Sequence, residues 1–218
     1  PTRRSSDLCD TDEESIFNIA LGAGGENGSA ITDQHRICID NIVLEKTSAP
    51  EIDVPVGKNL ITNSEFEMSE DGSLAGWENA VTAPGDATFE AGDGKITYSV
   101  ENVGEADWNI QLKQMGLSLE QGESYTLKCT LVSDVDRVVK VAVMTPSAGY
   151  AWHGGEDVVL TAGEAKDVTL TITPKEEVFT DGITVDTGAG LFFSMGYVEG
   201  YTLGAHTVSI SNVSFVKN

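Results

Sequence analysis

Strict alternation of apolar and polar residues runs through most of this chain and restricts its fold more than any other feature. Tyr125, Leu127, Cys129 and Leu131 alternate with polar residues. Val139, Val141 and Val143 alternate with Lys140, Ala142 and Met144, and Val168, Leu170 and Ile172 alternate with threonines. A period of two gives a strand one apolar face, and no useful length of the chain carries the helical period. Thr88 to Val100 reads as a hairpin turning at Ala91 to Gly94, with Ile96, Tyr98 and Val100 on one face. In Asn109 to Met115, Ile110 and Leu112 face one way while Asn109, Gln111 and Lys113 face the other. Leu191, Phe193 and Met195 form a further strand, and Thr145 to Gly155 reads as a loop rich in aromatics. Turn signals every few residues between such runs predict an all-β fold, a two-sheet antiparallel β-sandwich.

The chain also repeats itself. His206 to Asn218 (HTVSISNVSFVKN) matches His35 to Lys46 (HRICIDNIVLEK) at seven positions, from His35 with His206 to Lys46 with Lys217. Phe17 to Gly22 echoes Leu191 to Gly196 at nearly the same separation. Such a spacing is too long for a solenoid and marks two copies of one domain. Residues 58–218 are expected to form a complete module, and 9–47 the C-terminal, two-strand fragment of an upstream copy. Residues 48–57, with two prolines and no periodicity, read as a linker. Residues 1–8 resemble a translated sequencing adaptor and are expected to lie outside the fold. In both copies the alternation slips by one residue, at Asp40-Asn41 and at Ser211-Asn212. One extra residue in a strand is a β-bulge, which re-aims the side chains around it.

Thirteen basic against 35 acidic residues give a formal net charge of −22, with pI near 4.2. That charge argues against nucleic acid and against an anionic membrane as partners, since both need a basic face. No apolar run reaches membrane-spanning length. Cys9, Cys38 and Cys129 are odd in number and fit neither a zinc site nor a disulfide framework. Cys129, among alternating apolar residues, is expected to be a buried thiol.

Several short motifs occur in a telling order: Asn59-Leu60, Asn63 and Phe66-Glu67; Gly76-Trp77; Trp108 with Gln111-Leu112; Gly122, Tyr125 and Leu127; and Asn212-Val213. Their order and spacing resemble the carbohydrate-binding modules of families four, nine and twenty-two, which are appended to secreted glycan hydrolases. The resemblance covers 58–218, and 15–46 as a fragment. It implies a β-jelly roll without catalysis that binds a polysaccharide or oligosaccharide in a cleft on one sheet. It also implies a catalytic domain in the same chain, action as a monomer, and an extracellular or cell-surface location. A structural calcium is further implied where the opening Phe-Glu loop meets the closing strand. Glu67 matches that position in the complete module, but the aspartate is replaced by Ser211; the upstream copy keeps Asp40.

Sugar rings present apolar C–H faces and a fringe of hydroxyls, so a site for them wants flat aromatics together with amides or carboxylates. The spacing of Trp108 and Gln111 resembles the family's cleft pair. Parity puts Gln111 on the outward surface but sends Trp108 to the core, unless the strand starts after it. Tyr150 falls where the family places a second stacking aromatic. Trp152 lies beside it in the same glycine-flanked segment, while His153 reads as an exposed loop histidine. Phe192 is expected to face the cleft with Ser194, because Leu191, Phe193 and Met195 take the core; the upstream copy has Asn18 there. Lys140 and Met144 share the cleft face if their strand belongs to that sheet. Trp77, Tyr98 and Tyr125 read as core. A glycosidase would need two carboxylates projected into the cleft, and no pair stands out. The alternative is a structural or adhesive sandwich of a cell-surface protein, whose aromatics pack or bind a protein partner; a continuous convex face with the loop aromatics buried would favour it.

Overall fold

The computed structural model describes residues 53–180 and 182–218. Ten strands make two five-stranded sheets in which every paired strand is antiparallel. In chain order they are β1 (Glu78–Val81), β2 (Asp86–Gly92), β3 (Lys95–Asn102), β4 (Ile110–Glu120) and β5 (Tyr125–Ser133). There follow β6 (Arg137–Thr145), β7 (Ala151–Leu160), β8 (Ala165–Ile172), β9 (Val185–Ser194) and β10 (His206–Lys217). One sheet runs β1-β4-β9-β6-β7 and the other β2-β3-β10-β5-β8. Among the described residues helix is confined to single 3-10 turns at Asp107–Asn109, Pro146–Ala148 and Glu176–Val178. The sandwich expected from the alternation is therefore the fold.

Each sheet turns its apolar alternates inward. Tyr125, Leu127, Cys129 and Leu131 are buried on β5, as are Val139, Val141 and Val143 on β6. Tyr125 stacks on Phe215 with ring centroids 5.1 Å apart, and Phe66, Trp77 and Phe193 form a tilted aromatic run. Tyr98 is buried and donates its hydroxyl to Asn79 Oδ1 at 2.8 Å. Cys129 is only 2% exposed, and burial pushes its thiol up to about 12, so it stays protonated at neutral pH. The β2–β3 hairpin turns on Asp93-Gly94, both at positive φ (52° and 75°). Asp-Gly suits that mirror-image turn because neither residue resists the left-handed region strongly.

The slip at Ser211-Asn212 is a bulge. The β10–β5 register shifts between Ser211 and Ser214, and Asn212 has φ 53°. The bulge leaves backbone groups that Asn59 covers with its side chain. Its Nδ2 donates to Val213 O at 3.3 Å, and its Oδ1 accepts from Phe215 N at 2.9 Å. The opening motif thus stitches the closing strand. Just before it, Val54 is 2% exposed and Val56 bridges Lys217, so the last residues of the stretch read as a linker pack on β10. The expectations for residues 1–8 and 9–47, Asp40 and Asn18 among them, lie outside the described residues.

One buried pair was not singled out by the sequence. Arg137 is fully buried and donates to His206 Nε2, to Met195 O, to Val138 O at 3.2 Å and to Gly196 O at 3.4 Å. Since His206 Nδ1 donates to Gly204 O at 2.7 Å, Nε2 must accept, and the imidazole is neutral. Burial pulls the pKa of His206 down, and that of the equally buried His153. A histidine held neutral contributes stability that is complete above its unfolded value, about 6.5. That contribution drains away as pH falls through the lower folded value. Acidification also eases the self-repulsion of this acidic chain, which acts in the opposite direction. The expected result is therefore a difference: between pH 7.5 and 5, His206→Gln loses less stability than the wild type in urea unfolding. Parallel pH profiles would refute it.

Candidate functional site

The outward face of β1-β4-β9-β6-β7 carries an open cleft of about 670 Å³. Its floor is three rows of cross-strand neighbours. Gln111, Ser194 and Lys140 form one row, Lys113, Phe192 and Ala142 the next, and Met115, Gly190, Met144 and Trp152 the third. β6 thus belongs to the cleft sheet, which places Lys140 and Met144 in it. The core side of β4 carries Ile110, Leu112 and Gln114; Gln114 is 3% exposed and closes an amide pair with the backbone of Thr62.

Trp108 escapes the strand's parity because β4 begins at Ile110. It sits on the 3-10 turn Asp107–Asn109, 54% exposed, at one end of the cleft. Asn109, expected on the outward face, is instead 2% exposed and staples this turn from inside. Its Oδ1 accepts from Glu105 N and Ala106 N at 2.9 and 2.8 Å, and its Nδ2 donates to Thr82 O at 3.0 Å. Three backbone groups satisfied by one side-chain amide outweigh the alternation. The segment after β9 completes the support: Met195, Gly196 and Tyr197 donate their backbone N–H groups to Ile110 O, Asp107 O and Ala106 O. Gly196 is required by space, because a Cβ there would press on Ala106 O and stand 2.7 Å from Asp107 O.

The opposite wall is made by Tyr150 and Trp152. Residues 146–148 form a 3-10 turn, and Gly149 and Tyr150 follow in left-handed backbone at φ 65° and 61°. That conformation costs a side-chain-bearing residue about 1–2 kcal/mol. It leaves Tyr150 62% exposed over the cleft. Trp152 lies in β7 rather than in a loop, since the strand starts at Ala151. The β6–β7 register jumps from Val143–Gly154 to Met144–Trp152, a bulge that turns Trp152 outward and His153 inward. Gly155 makes room for the indole: a Cβ there would meet Trp152 Cζ2 at 2.6 Å.

His153 is not the exposed loop histidine expected. It is 4% exposed, accepts from Lys175 N at Nδ1 (3.0 Å), and bonds Thr145 Oγ1 at 2.8 Å through Nε2; Thr145 also bonds Asp186. The bulge that exposes Trp152 buries its neighbour, and a buried imidazole needs these partners. Phe192 faces the cleft as parity requires, but it is 4% exposed, not an open platform. Met115 and Phe192 both lean over Gly190, where a Cβ would lie 2.5 Å from Met115 Sδ and 3.0 Å from Phe192 Cε2. Phe192 is an apolar floor under a polarisable methionine.

The polar groups are few and fixed. Gln111 donates Nε2 to Ser194 Oγ at 2.9 Å, which aims the amide and leaves Oε1 without a hydrogen bond among the described residues. Lys113 pairs with Glu78 at 2.9 Å. Lys140 pairs with Asp107, whose carboxylate raises the pKa of the lysine above its ordinary value. Among the described residues Asp107 is the one carboxylate lining the cleft. Glu67 is exposed, and its backbone, not its carboxylate, is tied to Asn63 at 2.9 and 3.0 Å. Among the described residues no three Asp, Glu, His or Cys side chains converge on one point. A calcium there would therefore have no set of three carboxylates among the described residues.

Fold and cleft together define a β-sandwich with an open cleft across one sheet, edged by exposed aromatics. A model of the carbohydrate binding domain family that joins families 4 and 9 matches residues 58–187, and the chain belongs to this family. The covered domain is a carbohydrate-binding module, a non-catalytic kind of domain. A solved structure described under CBM4 structure and function superposes with TM-score 0.57 at 19% identity, covering 72% of this chain and 99% of that one. The N-terminal cellulose-binding domain of Cellulomonas fimi β-1,4-glucanase C gives 0.52 at 20% identity, covering 74% and 98%. An arabinose-bound MgGH51 α-L-arabinofuranosidase gives 0.52 at 11% identity, over 74% of this chain but 27% of that one. Identities this low speak for the fold alone. No curated protein sequence matches the chain. Among the described residues no helix is long and apolar enough to cross a membrane.

Proposed function

We propose that the cleft binds a single chain of a neutral polysaccharide, a β-glucan or xylan, and holds an attached glycoside hydrolase on that substrate outside the cell. Trp108, Tyr150 and Trp152 stack on sugar faces, Gln111 hydrogen-bonds the hydroxyl fringe, and Phe192 closes the floor. The observation that carries this reading is the convergence of three solvent-exposed aromatics on one cleft, while Trp77, Tyr98 and Tyr125 are buried. A sandwich that used these aromatics for packing would bury them. The net charge of −22 favours neutral over acidic glycans. The Cellulomonas fimi relative is named a cellulose-binding domain of a β-1,4-glucanase, which puts β-1,4-glucan first among ligands to try.

Isothermal titration with soluble β-glucan and with xylan tests it. Trp108→Ala and Tyr150→Ala are each expected to remove roughly 2 kcal/mol of apolar contact, about 30-fold in Kd, with the melting temperature unchanged. No heat with any glycan, or titration curves in both variants that overlay the wild type, would defeat the reading.

A further inference from the structure

Beyond the Trp108 end, the sheet carries a second hollow of about 280 Å³. It shares Asp107 and Lys140 with the cleft and adds Asp157, Tyr197 and Glu199. The two hollows lie on one cross-strand row: Gln111, Ser194 and Lys140 floor the cleft, and Lys140 is paired in turn with Asp157 on β7. From Ser194 to Asp157 is two strand spacings, roughly 10 Å. The Lys140–Asp107 ion pair is thus a divider with a ligand-sized space on either side.

Resting on the reading of the cleft given above, we propose that this notch takes a neutral sugar branch of the bound glycan, so that a decorated chain binds more tightly than its linear parent. Tyr197 is 40% exposed and supplies a flat face, while its backbone is fixed by the bond from its N–H to Ala106 O (3.1 Å). Asp157 and Glu199 are exposed carboxylates that only accept, so they suit sugar hydroxyls, which donate. One lysine against three carboxylates leaves the notch negative, which repels a uronic acid branch. The linear part of the ligand stays on the aromatics of the cleft, so branch and backbone are recognised by different side chains.

Titration calorimetry with four defined probes tests this: cellotetraose and xylotetraose, each bare and carrying single neutral side sugars (xylosyl on the first, arabinosyl on the second). At least one decorated probe is expected to bind about 10-fold more tightly than its bare parent. Tyr197→Ala should erase that difference while leaving the bare probe within about twofold, since Tyr197 lies outside the cleft. Glu199→Gln, a change at an exposed side chain, should reduce the difference. The proposal is overturned if decorated probes bind no better than bare ones, or if the preference survives in both variants. Absence of binding by all four probes would instead sink the reading of the cleft itself, and this proposal with it.

Discussion

An alanine at position 196 is expected to abolish glycan binding and to cost the domain about 3 kcal/mol, the upper end for an overpacked interior. Gly196 is buried where the chain leaves β9, and its N–H bonds Asp107 O at 2.9 Å. The added methyl group would collide with Ala106 O and Asp107 O, which are backbone atoms of the turn that presents Trp108. A flexible side chain could step aside, but this turn cannot, because Asn109 holds it from within through three hydrogen bonds. The turn must therefore shift as a unit and carry Trp108 off the cleft. Thermal melting and glycan titration of Gly196→Ala check both halves. Gly204→Ala is the control: a Cβ there meets nothing within 4 Å, and it should behave as wild type. Wild-type melting and affinity in Gly196→Ala would show that the turn is not clamped as described.

The same corner depends on a buried cation. Arg137→Ala is expected to lower stability by about 4 kcal/mol, or roughly 8–16 °C in melting temperature for a domain of this size. Arg137 satisfies His206 Nε2 and the carbonyls of Met195, Gly196 and Val138, and no carboxylate is among its partners. Burial lowers its pKa to about 10, so it remains charged at neutral pH. The carbonyls take the place of a counter-ion, and removing the guanidinium leaves them dry and unpaired. Arg137→Lys separates the causes, since it keeps the charge but reaches fewer of the acceptors. It should fall between the wild type and alanine. A lysine variant as unstable as the alanine one would mean that the planar fork, not the charge, does the holding. An alanine variant within about 1 kcal/mol of wild type would remove Arg137 from the account altogether.

Most of the fold was legible because alternation is a local signal. The faces of β3, β5, β6 and β9 follow from residues two apart, and the bulge at Ser211-Asn212 from one missed step. The hairpin at Asp93-Gly94 needed only its turn residues. Failures gather where local parity is overruled by partners distant in sequence. Asn109 reads as outward beside Gln111, yet it bonds Thr82, 27 residues away. His153 reads as a loop residue because the β7 bulge that buries it shows only against β6. Phe192 has the right face, but the space it shares with Met115 of the neighbouring strand β4 depends on the absent side chain of Gly190, the residue that pairs with Met115. Arg137 and His206 are 69 residues apart; the repeat marks His206 but gives no sign of its partner. For the candidate site, the residue types and the sheet face were readable. The gaps at Gly155, Gly190 and Gly196, which let the aromatics lie where they do, were not.

The left-handed backbone at Gly149–Tyr150 has a consequence for the rate and heat of binding. The direction in which the Tyr150 side chain leaves the backbone is set by the turn's own dihedral angles, so the turn holds it over the cleft without a ligand. The backbone entropy of that wall is spent during folding, which leaves only the side chain's rotamers to order at association. Encounter should then be a docking of two ready surfaces, without a slow rearrangement after contact, and the affinity should be governed by how long the chain stays.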